Sequence, residues 1–208
     1  MKRLKSEFVI KIDQLVLGST SKFRAALLAQ AGIRHFKQVA SGCDEQTITH
    51  KEPARQALLR AEAKASAVPV ESRSLVIGAD QVLEFEGKSY GKADSAKIAE
   101  ERLREMSGKT HYLHSAFALA HMKKDNLPEI VHSEVVTVSL TMRELSLTEV
   151  KNYVATGEWR GCAGCYQFEN IGINLFQKIN GTTDAVIGMP LIPLLTALRN
   201  YGINPIAL

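Results

Sequence analysis
The chain predicts an α/β fold: a mixed β-sheet flanked by helices, arranged as two lobes around a deep central cleft. Three observations lead there. Apolar runs of strand length alternate with segments whose apolar residues recur at helical spacing. The candidate strands 111–120 and 131–142 are joined by a short polar link rather than a crossover helix, so that pair runs antiparallel. No Pro/Gly/Ser-rich linker divides the 208 residues, so 14–208 reads as one domain behind a short basic extension, residues 1–13.

Each element has its own local reason. QLVLGS (14–19) is short and apolar, a buried strand. SKFRAALLAQAG (21–32) is a helix with Phe23, Leu27 and Ala31 on one face and Gly32 as its stop. A strand begins near Phe36. Residues 51–68 form a second helix with Pro53 in its first turn. SLVIGADQVLEFEGK (74–88) is a strand that passes a polar step and enters a turn. Residues 94–109 form an amphipathic helix closing at Ser107-Gly108. In the strand 133–145, Val136, Val138, Leu140 and Met142 share one face. Ser146 and Glu149 make a capping box for a helix ending at Gly157. GINLFQKING (172–181) is a strand leading into an Asn-Gly turn, and a last helix has Pro190 at its first position and Gly202 as its stop.

Composition excludes several classes. Hydrophobic residues make up 45% and charged residues 23%, an ordinary globular mix. Lys and Arg number 26 against 22 acids, a net charge of +4. That excess is too mild to argue for nucleic acid or a membrane, and it suits a polyanionic small molecule. No apolar run approaches the roughly 20 residues of a membrane span. The N-terminal segment has no apolar signal core. Three cysteines, an odd number, argue against a disulfide framework and for a reducing cytoplasm.

Five stretches carry candidate chemistry. The first is Ser19-Thr20-Ser21 between strand and helix, followed by Lys22 and Arg24. Cations at a helix N-terminus oppose its dipole, which an anion at that mouth would reverse. Serine hydroxyls and a guanidinium fork suit phosphate, although Ser21 equally serves as a simple cap. The second is Asp80-Gln81 in the apolar VIGADQV, where a buried carboxylate calls for metal ligation, general-base work or bonds to a neighbouring loop. The third is a cation supply, Lys64 after a run of alanines and Lys92 behind Gly91. The fourth is Asp44-Glu45, oxygen ligands for a divalent cation or a plain turn. The fifth is GCAGCYQFENIG (161–172). Its Cys162 and Cys165 are spaced as a redox or zinc half-site. The small Ala163 and Gly164 favour close backbone passage to a ligand. Tyr166, Gln167 and Glu169 form a set suited to recognising a base.

In order and content these stretches resemble the Maf family. Its Ser-x-Ser-Pro-Arg-Arg motif stands here as LVLGSTSKFRAALL, its Asp-Glu as Asp44-Glu45, its Ala-x-x-Lys-Ala as AEAKA, and its Gly-Ala-Asp as IGADQV. Gly91-Lys92, SGKTH, CAGCYQFENIG and GMPL follow in order, so the match spans about 14–202. The resemblance implies a two-lobed, three-layer fold of the Maf/ITPase-like kind. It also implies hydrolysis of nucleoside triphosphates to monophosphate and pyrophosphate with a divalent metal, Mg²⁺ or Mn²⁺. Carried over residue by residue, Asp80, Arg24, Lys64 and Lys92 are catalytic. Ser19, Ser21, Lys22, Gln81, Glu169 and Tyr166 bind substrate, and Asp80 with Glu45 holds metal. The implied partner is a nucleoside triphosphate, with a homodimer in many members and neither a stable nucleic-acid complex nor a membrane. The alternative is a nucleotide-binding regulator of septum formation without turnover. Lys22 and Phe23 replace the family's Pro-Arg. YQFEN replaces the YGIQG of the branch that hydrolyses dTTP and UTP. Gln81 and Glu169 look more like the branch that includes 7-methyl-GTP pyrophosphatases. There a carboxylate would accept from guanine N1–H and N2–H₂, and an amide would donate to O6.

Overall fold
Strand β1 (Gln14–Leu17) is nearly all buried, because it lies inside a parallel run between β2 (Lys37–Gln38) and β3 (Ser74–Phe85). The computed structural model describes residues 12–71, 73–123 and 127–206, so the basic extension falls outside it through residue 11. Beyond β3 the sheet turns antiparallel through β5 (Thr110–Met122), β6 (Pro128–Met142) and β7 (Phe176–Asn180), in the order β2-β1-β3-β5-β6-β7. The short β4 (Lys88–Tyr90) folds back on the end of β3 through a turn at Glu86-Gly87. The predicted antiparallel pair is β5 and β6, with Phe117 opposite Glu134.

Six α-helices lie among the described residues. They are α1 (Lys22–Gln30), α2 (Pro53–Ser66), α3 (Ala96–Met106), α4 (Leu147–Ala155), α5 (Thr183–Ile187) and α6 (Leu191–Arg199). Both halves of the Ser146–Glu149 capping box are made. Two expectations move. Residues 171–175 are a 3-10 turn, so β7 starts only at Phe176. Pro190 is the N-cap of α6 rather than its first residue. The five-residue α5 has no apolar period long enough to be legible in sequence.

The sheet's two faces explain the cleft. On one face, Ala57, Ala61 and Ala65 of α2 pack on Val76 and Val82 of β3 and on Ala116, Ala118 and Ala120 of β5. Small residues let α2 come very close: a Cβ on Gly78 would stand 2.2 Å from the Ala61 carbonyl oxygen. The other face carries two separate cores. Leu75, Ile77, Ala79, Phe117 and Leu119 pack with α1 and α6. Leu83, Phe85 and Leu113 pack with α3 and α4. Alternation along β3 and β5 puts Gln81 and Ser115 between the two cores, directly opposite each other in register. These two polar residues form the seam between the lobes.

The same register opens the sheet. β1 pairs with β3 only as far as Leu17↔Ile77, and β4 begins pairing at Leu83↔Tyr90. Along that edge residues 78–82 have no neighbouring strand, and Asp80 lies in the middle of the gap.

Candidate active site
β1 ends at this gap and the chain turns into α1. Ser21 caps α1 by accepting from the Arg24 N–H at 3.4 Å, and Ser19 Oγ accepts from the Ser21 N–H at 3.2 Å. Arg24 does not extend into solvent. Its Nε donates to the Gly188 carbonyl at 3.1 Å and its Nη1 to Ser19 Oγ at 3.3 Å. Burial lowers its pKa, and the carboxylates of Asp80 and Glu45 act in the opposite direction. Gln38 of β2 ties the loop down, its amide donating to the Ser19 and Ser21 carbonyls at 2.8 and 3.3 Å. Lys22 is exposed at the mouth of the cleft.

From the opposite side α2 delivers Lys64 and, one turn earlier, Arg60. The Lys64 ammonium donates to Asp80 Oδ1 at 2.6 Å and also pairs with Glu45. Burial works to raise the Glu45 carboxyl, but Lys64, backed by Lys92 and Arg60, outweighs it and holds the group below its ordinary value. Arg60 Nη1 lies 4.0 Å from Asp80 Oδ2 and its Nε donates to the Ile48 carbonyl at 3.0 Å. Asp44 points elsewhere: its side chain accepts from the Gln46 N–H and caps a 3-10 turn.

Asp80 Oδ2 is buried without a hydrogen-bond partner among the described residues. An orphaned carboxylate oxygen beside a second carboxylate is the donor chemistry that Mg²⁺ or Mn²⁺ takes. No group of three or more His, Cys, Asp or Glu able to hold a metal occurs among the described residues. Asp80 and Glu45 therefore fit a cation that draws its remaining oxygens from substrate and water, as Mg²⁺ commonly does.

These groups line a cleft of about 1010 Å³. It also admits Gln81, Tyr90, Lys92, Cys43, Cys162, Ala163, Gly164, Tyr166 and Glu169. Of the candidates anticipated from sequence, Ser19, Ser21, Lys22, Arg24, Glu45, Lys64, Asp80, Gln81, Lys92, Tyr166 and Glu169 reach one cavity, whereas Asp44 and Gln167 are not among its lining residues. Lys92 and Glu169 are exposed at its rim. The Gln81 amide nitrogen is already spent on Ser115 Oγ at 2.8 Å and the Ala185 and Val186 carbonyls at 3.0 and 2.9 Å. Two carbonyl partners fix that end of the amide as the donor. In this structure the Gln81 amide braces the seam to α5 while lining the cleft, so donation to a guanine O6 would displace one of these bonds. Tyr166 forms part of the cleft wall. It is buried, its hydroxyl meets His111 Nε2 at 2.8 Å, and its ring packs edge-on against Phe176. A Cβ on Gly164 would strike the Tyr166 ring at 2.3 Å, so this small residue serves the loop's own packing.

The C-x-x-C does not have the character of a redox pair. Burial pushes the Cys162 thiol up to about 11 and raises Cys165 as well, which disfavours the thiolates that such chemistry needs. Sequence reasoning missed Arg60, Gln38 and Ser115. Arg60 had a usable signal, since it precedes Lys64 by one helical turn. Gln38 and Ser115 had none, because cross-strand partners are not visible along the chain.

The fold and site define a class: an α/β protein whose split sheet edge gathers cations, two carboxylates and a helix N-terminus around one cleft. The chain belongs to the Maf family, whose model, described as "Maf-like protein", matches residues 14–201. A protein from Bartonella quintana (strain Toulouse), named 7-methyl-GTP pyrophosphatase, is 40% identical over 92% of this chain and 97% of its own. One from Nitrobacter hamburgensis, named nucleoside triphosphate pyrophosphatase, is 37% identical over 91% and 94%. A 7-methyl-GTP pyrophosphatase from Rhizobium meliloti is 38% identical over 90% and 96%. A solved HAM1 protein from Coxiella burnetii aligns with 61% of this chain and 72% of its own at a TM-score of 0.36 and 15% identity, a likeness too slight to bear on the site.

Proposed function
We propose that the chain is a nucleoside triphosphate pyrophosphatase, hydrolysing the bond between the α- and β-phosphates to give a monophosphate and pyrophosphate. The observation that carries this reading is the Asp80–Lys64–Glu45 cluster set opposite the N-terminus of α1. The names of the relatives support it.

In this mechanism the triphosphate lies across the gap in the sheet. The α1 N-terminus with Ser19 and Ser21 binds phosphate oxygens, and Arg24, Lys64 and Lys92 offset the charge of the polyphosphate and the leaving pyrophosphate. Asp80 orients the attacking water and takes its proton. Asp80 and Glu45 would hold a divalent cation, which when bound supplies Lewis-acid polarisation and further charge neutralisation. Little covalent chemistry falls to the protein, so positioning dominates. Glu169 at the rim is suited to accept from guanine N1–H and N2–H₂, which favours a guanine-type base such as 7-methyl-GTP.

The test is pyrophosphate release with Mg²⁺ or Mn²⁺ from dTTP, UTP, CTP, GTP and 7-methyl-GTP. Asp80→Asn stays folded, because Glu45 still pairs with Lys64, and loses about 10²–10⁴-fold in rate. Full activity of Asp80→Asn would remove the assignment. Pyrimidine turnover would keep the enzyme and discard Glu169 as a guanine reader. Tight nucleotide binding with no release would identify a sensor instead.

A further inference from the structure
Arg102 stands on α3, outside the cluster that faces the triphosphate. Its Nη1 donates to the Gly91 carbonyl at 2.5 Å and to the Ala163 carbonyl at 2.7 Å, and lies 3.5 Å from Cys165 Sγ. Its guanidinium carbon sits 5.1 Å from the centroid of the Tyr90 ring. One side chain thereby ties together two segments far apart in sequence that form adjoining parts of the cleft wall. One is Tyr90-Gly91-Lys92, which carries a cation to the rim. The other is the small-residue loop 161–164, which leads into Glu169.

Tyr90 and Ala163 each pack against the core of α3 and α4, and Arg102 adds the polar tie between their segments. β4 pairs only through its three residues, and Gly91 follows immediately. The loop's backbone bonds near this point are local turns, such as Cys165 N–H to the Cys162 carbonyl at 3.2 Å. A planar guanidinium is suited to the task, because it bonds two carbonyls at one edge while its face covers an aromatic ring. The Cys165 thiol adds to the join, accepting from the Ala93 N–H.

We propose that Arg102 is a positioning residue for hydrolysis: it fixes where Lys92 stands by clamping the Gly91 carbonyl to the 161–164 loop. This rests on the pyrophosphatase reading for its kinetic consequence but not for its geometry. Arg102 touches no reacting atom and acts through Lys92. An error of about 1 Å in a charge at a polyphosphate costs up to about 10²-fold in rate.

The experiment is a double-mutant cycle on Arg102→Ala and Lys92→Ala, followed by kcat/KM for the best nucleotide in the pyrophosphate-release screen. Arg102→Ala is expected to lower kcat/KM by about 10- to 100-fold. The double variant should fall within about threefold of Lys92→Ala alone, because the second loss has nothing left to misplace. Arg102→Lys, which restores charge without the fork and ring stacking, should recover part of the loss, and it replaces Arg102→Ala in the cycle if the alanine variant does not fold. Multiplicative losses in the double variant, or an Arg102→Ala enzyme within twofold of the parent, would overturn the proposal. Should the parent release no pyrophosphate, calorimetric titration of the same four proteins with a non-hydrolysable nucleoside triphosphate reads the coupling directly. Additive binding losses there would overturn the clamp, independently of whether the protein turns over.

Discussion
Lys64 sits between two carboxylates, and its burial makes that position consequential. The ammonium is the short-range partner of Asp80, whose second oxygen lies 4.0 Å from Arg60. Removing one member of a buried pair exposes the desolvation cost of the other. Lys64→Met should therefore destabilise the fold by on the order of 3 kcal/mol. Adding Asp80→Asn should return most of that loss, since a neutral amide of the same shape needs no counter-charge. Urea denaturation of the single and double variants checks this; equal stability of the two would show that the pair is not coupled. Sequence alone marked Lys64 and Asp80 separately. It gave no sign that they touch, because 16 residues and a helix-to-strand crossing separate them.

Helix α2 reaches the site because its backbone rests almost directly on β3. Gly78 makes this contact: an added Cβ would meet the Ala61 carbonyl oxygen at 2.2 Å and the Ala65 nitrogen at 2.4 Å. Both are backbone atoms and cannot swing aside. Gly78→Ala should cost about 1–3 kcal/mol through overpacking, and it should also withdraw Lys64 and Arg60 from Asp80. The expected signature is a lowered thermal midpoint together with lost pyrophosphate release. A midpoint unchanged from the parent would contradict the contact. The element boundaries follow local chemistry well where caps exist. Ser21, Pro53 and Ser146 each start the helix that the sequence assigned, and Ser95 caps α3 within the predicted 94–109. The failures are the 3-10 turn before β7 and the short α5, whose positions are set by packing rather than by periodicity.

Taken as a whole, the molecule keeps two cores on one sheet face, and His111 lies fully buried near the one built from α3 and α4. Burial lowers its pKa to about 4, against 6.5 when exposed. Above about pH 6.5 the ring is neutral in both states, and its contribution to stability is fully present. As pH falls from there towards 4, the unfolded chain takes up a proton that the folded chain refuses. Stability then declines by on the order of 3 kcal/mol at pH 4. His111→Phe should flatten this part of the stability–pH curve, at a constant cost from the lost Tyr166 hydrogen bond. Denaturant titrations at several pH values measure it, and an unchanged slope would assign the acid loss to other groups. Among the described residues no helix is long and apolar enough to cross a membrane.

By itself the sequence determined the alternation of strands and helices, the capped helix starts, the antiparallel β5–β6 pair and the ordered motifs shared with the Maf family. These follow from periodicity and short-range hydrogen bonding, which act between residues close in the chain. Only the tertiary structure decided that the sheet edge is open at 78–82, that Gln81 braces α5 and that Tyr166 turns inward. It alone showed Arg102 joining two distant loops. Each of those depends on strand register and on contacts spanning tens to more than a hundred residues, where burial and hydrogen-bond completion choose partners that local pattern does not encode.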